Sequence, residues 1–379
     1  MNWRRAAEFN DYRRVAKRCL PRVLFDYIDG GSYAETTLKR NVSKFADALL
    51  TPRVMRDMSA ISMDLRLFGQ PMSMPVALGP VGFAGMYARR GEVQAARAAR
   101  AAGVPFCLST VGICSVDEVK QAVSPPWFQL YMVRDRGHSR ALIERAAEAG
   151  CPVLVLTVDL PTPGARYRDQ RSGMMGEPSA ATLLRQAAAL ARKPGWVWDV
   201  YLKGRPHTFG NLDSVIPGAA SYTDAWDWIS RNFDRSVTWD DIGFVKKHWT
   251  GPVIVKGVMH PDDAVMARDA GADGVIVSNH GGRQLDGVDA TIEALPRVVD
   301  ALGGAVDVMM DGGVRSGLDV LKALNRGAKA CFLGRAWAFT LAAGGEGAVA
   351  RMLETMRAEI ETAMVLSGEA DVSRLGAAD

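Results

Sequence analysis

The stretch SNHGGRQLDG (278–287) places an imidazole, His280, two glycines and a guanidinium, Arg283, side by side at the end of the apolar run GVIV (274–277). A lone histidine is more often structural than catalytic. Here the two glycines let a ligand approach the backbone closely, and the arginine supplies a flat cationic fork. A general base beside a carboxylate anchor is what proton abstraction from a 2-hydroxy acid requires.

Other chemistry-bearing residues recur at the ends of similar apolar runs. They are Gly82, Ser109, Gln129 and Tyr131, then Thr157, Asp159, Lys256 and Ser278. The last two runs end in Asp311-Gly312-Gly313-Val314-Arg315 and Gly334-Arg335, which combine flexible main chain, helix starts and arginines. That combination binds phosphate through backbone N–H groups and cations. Singly, each of these is an ordinary solvent-facing strand end; all of them together argue for a shared site.

The elements that would position them form a series. Eight short runs are apolar throughout: 75–80, 105–110, 127–132, 153–159, 252–257, 274–280, 306–313 and 330–335. Segments of helical period separate most of them, such as GEVQAARAARAAG, HSRALIERAAEAG and GLDVLKALNRGA. Continuous rather than alternating apolar character predicts parallel strands buried on both faces. Eight βα units in series predict a TIM (β/α)8 barrel rather than an open doubly wound sheet. The whole chain, 1–379, then reads as one barrel domain. Residues 1–74 add an N-terminal extension of short helices and irregular chain that caps the barrel, and 160–240 form a long insertion after strand four.

Composition narrows the class. The 379 residues are 48% hydrophobic and 23% charged, with a net charge of +4, which offers no basic footprint for nucleic acid. Five cysteines without a C-x-x-C pair read as buried, reduced thiols. The start, MNWRRAAEFN, lacks the apolar stretch of a secretion signal, and no run approaches a membrane span. A cytoplasmic location follows, with room for peripheral contact at the cytoplasmic face of the inner membrane.

SNHGGRQLDG, TVDLPTPGARYRD, WFQLY and DGGVR resemble the FMN-dependent L-2-hydroxy-acid oxidising family, over nearly the whole chain. GPVGFAGMYARRGE and RPHTFGNL look most like its bacterial respiratory L-lactate dehydrogenases. The resemblance implies FMN as cofactor, a homotetramer, and a quinone or cytochrome as electron acceptor. It implies that Tyr27, Arg283 and Arg166 hold the substrate carboxylate, that Tyr131 bonds the hydroxyl or the developing carbonyl oxygen, and that His280 takes the proton while Asp159 orients it. Lys256 would stand at the flavin N1/O2 edge. Ser109, Gln129, Thr157 and Ser278 would bond the ring and ribityl groups, against backbone from Pro80 through Val81 to Gly82. Asp311, Gly313, Arg315, Gly334 and Arg335 would take the ribityl chain and phosphate. Gly82 stands where several oxidases of the family have alanine, and Val111 where glycolate oxidase has tryptophan; both departures weaken a glycolate-oxidase reading.

Within the insertion, Leu183, Leu184, Ala187, Ala188 and Ala191 form a helical apolar stripe, followed by Trp196 and Trp198. Residues 164–214 hold eight Lys/Arg against four Asp/Glu. This pattern suits a peripheral membrane contact and a lid over the barrel equally well. Three rivals remain: an oxidase releasing hydrogen peroxide, a flavin barrel performing isomerisation, and a pseudoenzyme. Tyr27, Arg166 and Arg283 argue against the second, and the His280–Asp159 pair against the third.

Overall fold

The computed structural model describes residues 2–175, 179–213, 216, 228–229 and 231–376. Its centre is a parallel sheet of eight strands: β3 (Val76–Leu78), β4 (Cys107–Ser109), β5 (Trp127–Tyr131), β6 (Leu154–Thr157), β7 (Val253–Val258), β8 (Gly274–Val277), β9 (Asp307–Asp311) and β10 (Cys331–Leu333). They pair in the order β3-β10-β9-β8-β7-β6-β5-β4. The bridge Leu78–Phe106, with Leu78 N donating to Pro105 O at 2.9 Å, joins β3 to β4 and closes the ring. Each predicted run coincides with one of these strands, β7 extending one residue past its run. The cores of β3–β6 and β8 are wholly buried, as expected where helices cover one face and the barrel interior the other.

A helix follows every strand: Gly91–Ala101, Val116–Ala122, Arg136–Glu148, Asp240–His248, Pro261–Asp269, Thr291–Leu302, Gly317–Leu324 and Arg335–Ser367. Local signals set their starts. Ser115 accepts from Glu118 N, Asp135 from Gly137 N, and Ser316 from Asp319 N, so each satisfies an orphan donor of the first turn.

Before the barrel come three helices, Phe9–Cys19, Arg22–Asp29 and Thr36–Ser43. The irregular chain expected up to residue 74 instead holds an antiparallel hairpin, β1 (Leu65–Leu67) and β2 (Gln70–Met72). Its two-residue turn, Phe68-Gly69, has φ of 50° and 75°, the pattern of a type I′ turn. Phenylalanine is a poor indicator of that turn and Pro71 a poor indicator of a strand, so the sequence hides the hairpin. Leu67 and Met72 pack with Val155, Ile254, Ile276 and Met309, plugging the end of the barrel opposite the site described below. Four cysteines are buried, but Cys19, at the end of its helix, is exposed, contrary to expectation.

In the insertion, the described residues form helices Tyr167–Ser172, Ala180–Ala191 and Pro194–Trp196 and a wide π turn, Val197–Leu202. No residue of Ala180–Ala191 is buried; the apolar stripe faces outward, with Leu184 73% exposed. Among the described residues no helix is long and apolar enough to cross a membrane.

Candidate active site

The C-terminal ends of the strands surround a cleft that reaches from Tyr27 and Tyr131 to Arg315 and Arg335. His280 lies just beyond β8 with a left-handed backbone, φ 56°, and lines the cleft. Its Nδ1 lies 2.7 Å from Asp159 Oδ1, on the loop after β6. That contact makes Nδ1 the donor and leaves Nε2 as the basic nitrogen. A β-carbon on Gly257 would come within 2.6 Å of the Asp159 side chain, so β7 must carry glycine at this position near its end. Gln284 Nε2 donates to Asp159 O and Thr162 O, both at 2.9 Å, and fastens the start of the insertion. Neither Gly257 nor Gln284 was singled out in the sequence, though Gln284 belongs to the same motif as His280.

Burial lowers the His280 imidazole below its ordinary value; Asp159 opposes the shift without cancelling it, and Lys256 and Arg166 reinforce it. Burial pulls Asp159 upward, but the neighbouring His280 and Lys256 outweigh it and hold the carboxyl below its usual range. The pair therefore rests at neutral pH as imidazole and carboxylate, the state a base needs.

Opposite lies a cationic clamp. Arg283 Nη1 donates to Gly30 O at 2.8 Å and to Tyr27 O, and its guanidinium lies 4.6 Å from the Tyr27 ring centre. Its Nη2 is buried with no partner. Arg166 is buried beside it, its Nε donating to Arg283 O at 3.4 Å, and burial together with Arg283 depresses its basicity. Tyr131, at the end of β5, faces the same space with its ring 4.9 Å from that of Phe233. Ile229 and Phe233, from the returning arm of the insertion, line the cleft although nothing in their local sequence marks them. A pairing of Phe233 with Val133 brings that arm onto the chain just after β5.

The other side of the cleft is lined by buried polar groups. Lys256 is buried with Nζ 2.9 Å from both Asp311 Oδ2 and Ser278 Oγ. Burial acts to lower this lysine, but Asp311 and Asp159 outweigh it and keep it charged. Ser109 Oγ donates to Gln129 Oε1 at 3.0 Å, while Gln129 Nε2, Thr157 Oγ1 and Asp311 Oδ1 are buried without partners. Pro80, Val81 and Gly82 line the cleft, and Tyr87 donates to Gly82 O at 3.0 Å.

Gly312, Gly313 and Gly334 line the far end together with Arg315 and Arg335. Gly313, φ 86°, runs so close to the N-terminal helices that a β-carbon would lie 1.9 Å from Asn41 O. Over Gly334, which starts the last helix, the space is open. Arg335 reaches the cleft, but in this structure its guanidinium bonds Ile28 O, Gly281 O and Gly30 O, each at 2.8 Å. Arg315 lies 4.2 Å over the Phe9 ring and bonds Val314 O at 2.9 Å. Burial pushes Arg315 down to about 10, and burial with Arg283 and Arg315 pushes Arg335 well below its usual value. Two desolvated cations beside an open helix N-terminus are what a phosphate dianion would stabilise. Among the described residues no cluster could hold a metal ion.

A family model described as FMN-dependent dehydrogenase matches residues 16–379. The chain belongs to the FMN-dependent dehydrogenase family. FMN is therefore its cofactor, and the cleft fits that molecule: a cationic end for the phosphate, and orphaned polar atoms on Gln129, Thr157 and Asp311 for its polar edges. As an FMN-dependent dehydrogenase it is 55% identical over 359 residues to an L-lactate dehydrogenase of Caulobacter sp. (strain K31), covering 94% of each chain. It is 50% identical over 367 residues to one of Chromohalobacter salexigens, covering 97% of this chain and 93% of that one. A crystal structure of mandelate oxidase with (S)-4-hydroxymandelic acid superposes with a TM-score of 0.85 at 36% identity, covering 97% of both chains.

Proposed function

We propose that this FMN-dependent dehydrogenase oxidises L-lactate to pyruvate and passes the electrons to a quinone or cytochrome. The carrying observation is the unpartnered Arg283 Nη2 across the cleft from the His280–Asp159 pair: a carboxylate anchor and a neutral base share one space. The L-lactate dehydrogenases at 50–55% identity support the substrate.

In this reading Arg283, with Arg166 and the Tyr27 phenol, binds the substrate carboxylate and fixes its orientation. Tyr131 donates to the hydroxyl oxygen. His280 Nε2 takes a proton from the substrate, and Asp159 stabilises the imidazolium that results. Bound FMN supplies the two-electron acceptor. Lys256, Ser109, Gln129, Thr157 and Ser278 would hold its ring and upper ribityl groups, against the backbone of Pro80, Val81 and Gly82. Asp311, Gly313, Arg315, Gly334 and Arg335 would hold the lower ribityl chain and phosphate. The exposed Leu184 and Trp198 of the insertion support a peripheral membrane contact, where a quinone would be met.

Anaerobic addition of L-lactate to the yellow protein should bleach it, with slow recovery in air made fast by a quinone or dye. Rapid recovery with peroxide would make it an oxidase, and no bleaching by L-lactate would end the lactate assignment.

The pH profile follows from the base. The neutral imidazole is the active form, so kcat/KM is full above its pKa and falls as pH drops through it. Because that pKa is lowered, the acid limb should lie below about 6.5. Asp159→Asn removes an influence that raises it and should move the limb further down. A limb at or above pH 7 would contradict the assignment of His280.

Ile229 and Phe233 should set the room for the substrate side chain. Ile229→Ala is expected to shift the kcat/KM ratio of L-2-hydroxybutyrate over L-lactate upward by roughly 10-fold, the lower end for a small apolar change. Competition kinetics with both acids would read it, and an unchanged ratio would remove Ile229 from the specificity pocket.

A further inference from the structure

A second groove, of about 1110 Å³, runs between the helix Arg22–Asp29 and the insertion helix Ala180–Ala191, and shares no lining residue with the cofactor cleft. Its walls are apolar, with Val23, Leu24, Met86, Leu183, Leu190 and Trp196. Trp196 is fixed by its Nε1 donating to Met86 O at 2.8 Å. The polar edge is cationic. Arg22 pairs with Asp26, and Arg168 with Asp29 and Glu35. Arg171 and Arg185 line the groove with no ion pair among the described residues.

An apolar trough ending in unmatched guanidinium groups is complementary to one chemistry: a long hydrocarbon chain carrying an anionic head. A peptide strand fits less well, because the walls are side chains of two helices whose main-chain groups are already bonded. The surroundings indicate where such a chain would come from. Leu184, Trp198 and Leu202 are exposed on the same insertion, 73%, 59% and 45%. A neighbouring cleft is lined by Arg192, Lys203 and Arg205, together with Arg89 and Arg97, which pair with Asp199 and Glu346. Exposed apolar and aromatic groups among basic ones are the pattern of a surface that settles on an anionic bilayer.

We propose that the groove holds one acyl chain of an anionic membrane phospholipid, its phosphate on Arg171 and Arg185. This rests on the reading that the insertion meets a membrane, and adds to it a specific lipid site inside the protein. A chain lifted from the bilayer loses little if the apolar walls of the groove replace the contacts of its methylenes. The head group then supplies the selectivity through charge-assisted hydrogen bonds.

The test uses the FMN-loaded protein with vesicles of phosphatidylglycerol or phosphatidylcholine, the acyl chains brominated to quench nearby tryptophan. The contribution of Trp196 is the difference between wild type and Trp196→Phe. Expected are flotation with phosphatidylglycerol vesicles and quenching of Trp196, both absent with phosphatidylcholine. Quenching should be lost in Arg171→Ala/Arg185→Ala and in Ala189→Phe, which fills the groove, while flavin absorbance and dye-coupled activity stay at wild-type level. Flotation without quenching of Trp196, or quenching that survives Ala189→Phe, would overturn the groove site and leave the membrane contact standing. Absence of flotation would remove both. Binding of monomeric oleate without any vesicle binding would overturn the assignment to a bilayer lipid.

Discussion

His280→Gln is expected to lower kcat for L-lactate roughly 10³- to 10⁴-fold, the upper part of the range for a positioned general base, while FMN stays bound. The two effects separate because the proposed base and the residues proposed for the phosphate lie on different strands: His280 follows β8, whereas Gly313, Arg315, Gly334 and Arg335 follow β9 and β10. Glutamine reaches Asp159 without providing a basic nitrogen. Asp159 is itself ionised and has one buried oxygen free of partners, so some residual turnover should remain. Stopped-flow bleaching under anaerobic conditions reads the chemical step, and the visible spectrum reads the cofactor. Parallel loss of both would mean that His280 serves the fold or the flavin rather than the proton.

Arg283→Leu should cut kcat/KM by about 2–5 kcal/mol, roughly 30- to several-thousand-fold, the cost of removing one partner from a buried charged contact. Most of it should appear in KM, because the carboxylate is held alike in the bound and reacting states. The same side chain bonds Gly30 O and Tyr27 O at the end of the helix that carries Tyr27. A stability loss of about 1–3 kcal/mol for a buried acceptor left unsatisfied is therefore expected as well, read as a lower Tm. Saturation kinetics with L-lactate, compared with its uncharged amide, distinguish the two effects. Equal loss for acid and amide would show that Arg283 supports the helix and does not bind the carboxylate.

The strands were legible because parallel strands buried on both faces need unbroken apolar runs, and the polar residues that interrupt those runs are the ones at the barrel mouth. His280, Asp159, Tyr131, Lys256 and Arg283 all line or adjoin one cleft for that reason. What sequence could not show depends on contacts between distant segments. Ile229 and Phe233 are ordinary apolar residues until the insertion folds back over Tyr131. Arg335 has a strand-end signature suited to phosphate, yet its donors also tie the carbonyls of Ile28 and Gly30 to the barrel. Gly257 is one more glycine until Asp159 is seen packed where its side chain would be. The β1–β2 hairpin was missed because a phenylalanine holds a turn position normally given to asparagine or glycine.

The outward-facing helix Ala180–Ala191 gives the molecule two separate scales of stability. A helix of a dozen residues is marginal in water unless it buries a face, and this one buries no residue. Its amides should exchange with solvent deuterium through local opening at little free-energy cost, while those of β5 through β8 should wait for global unfolding. A protease present at low concentration would then cut the insertion first and leave a barrel that still carries its flavin.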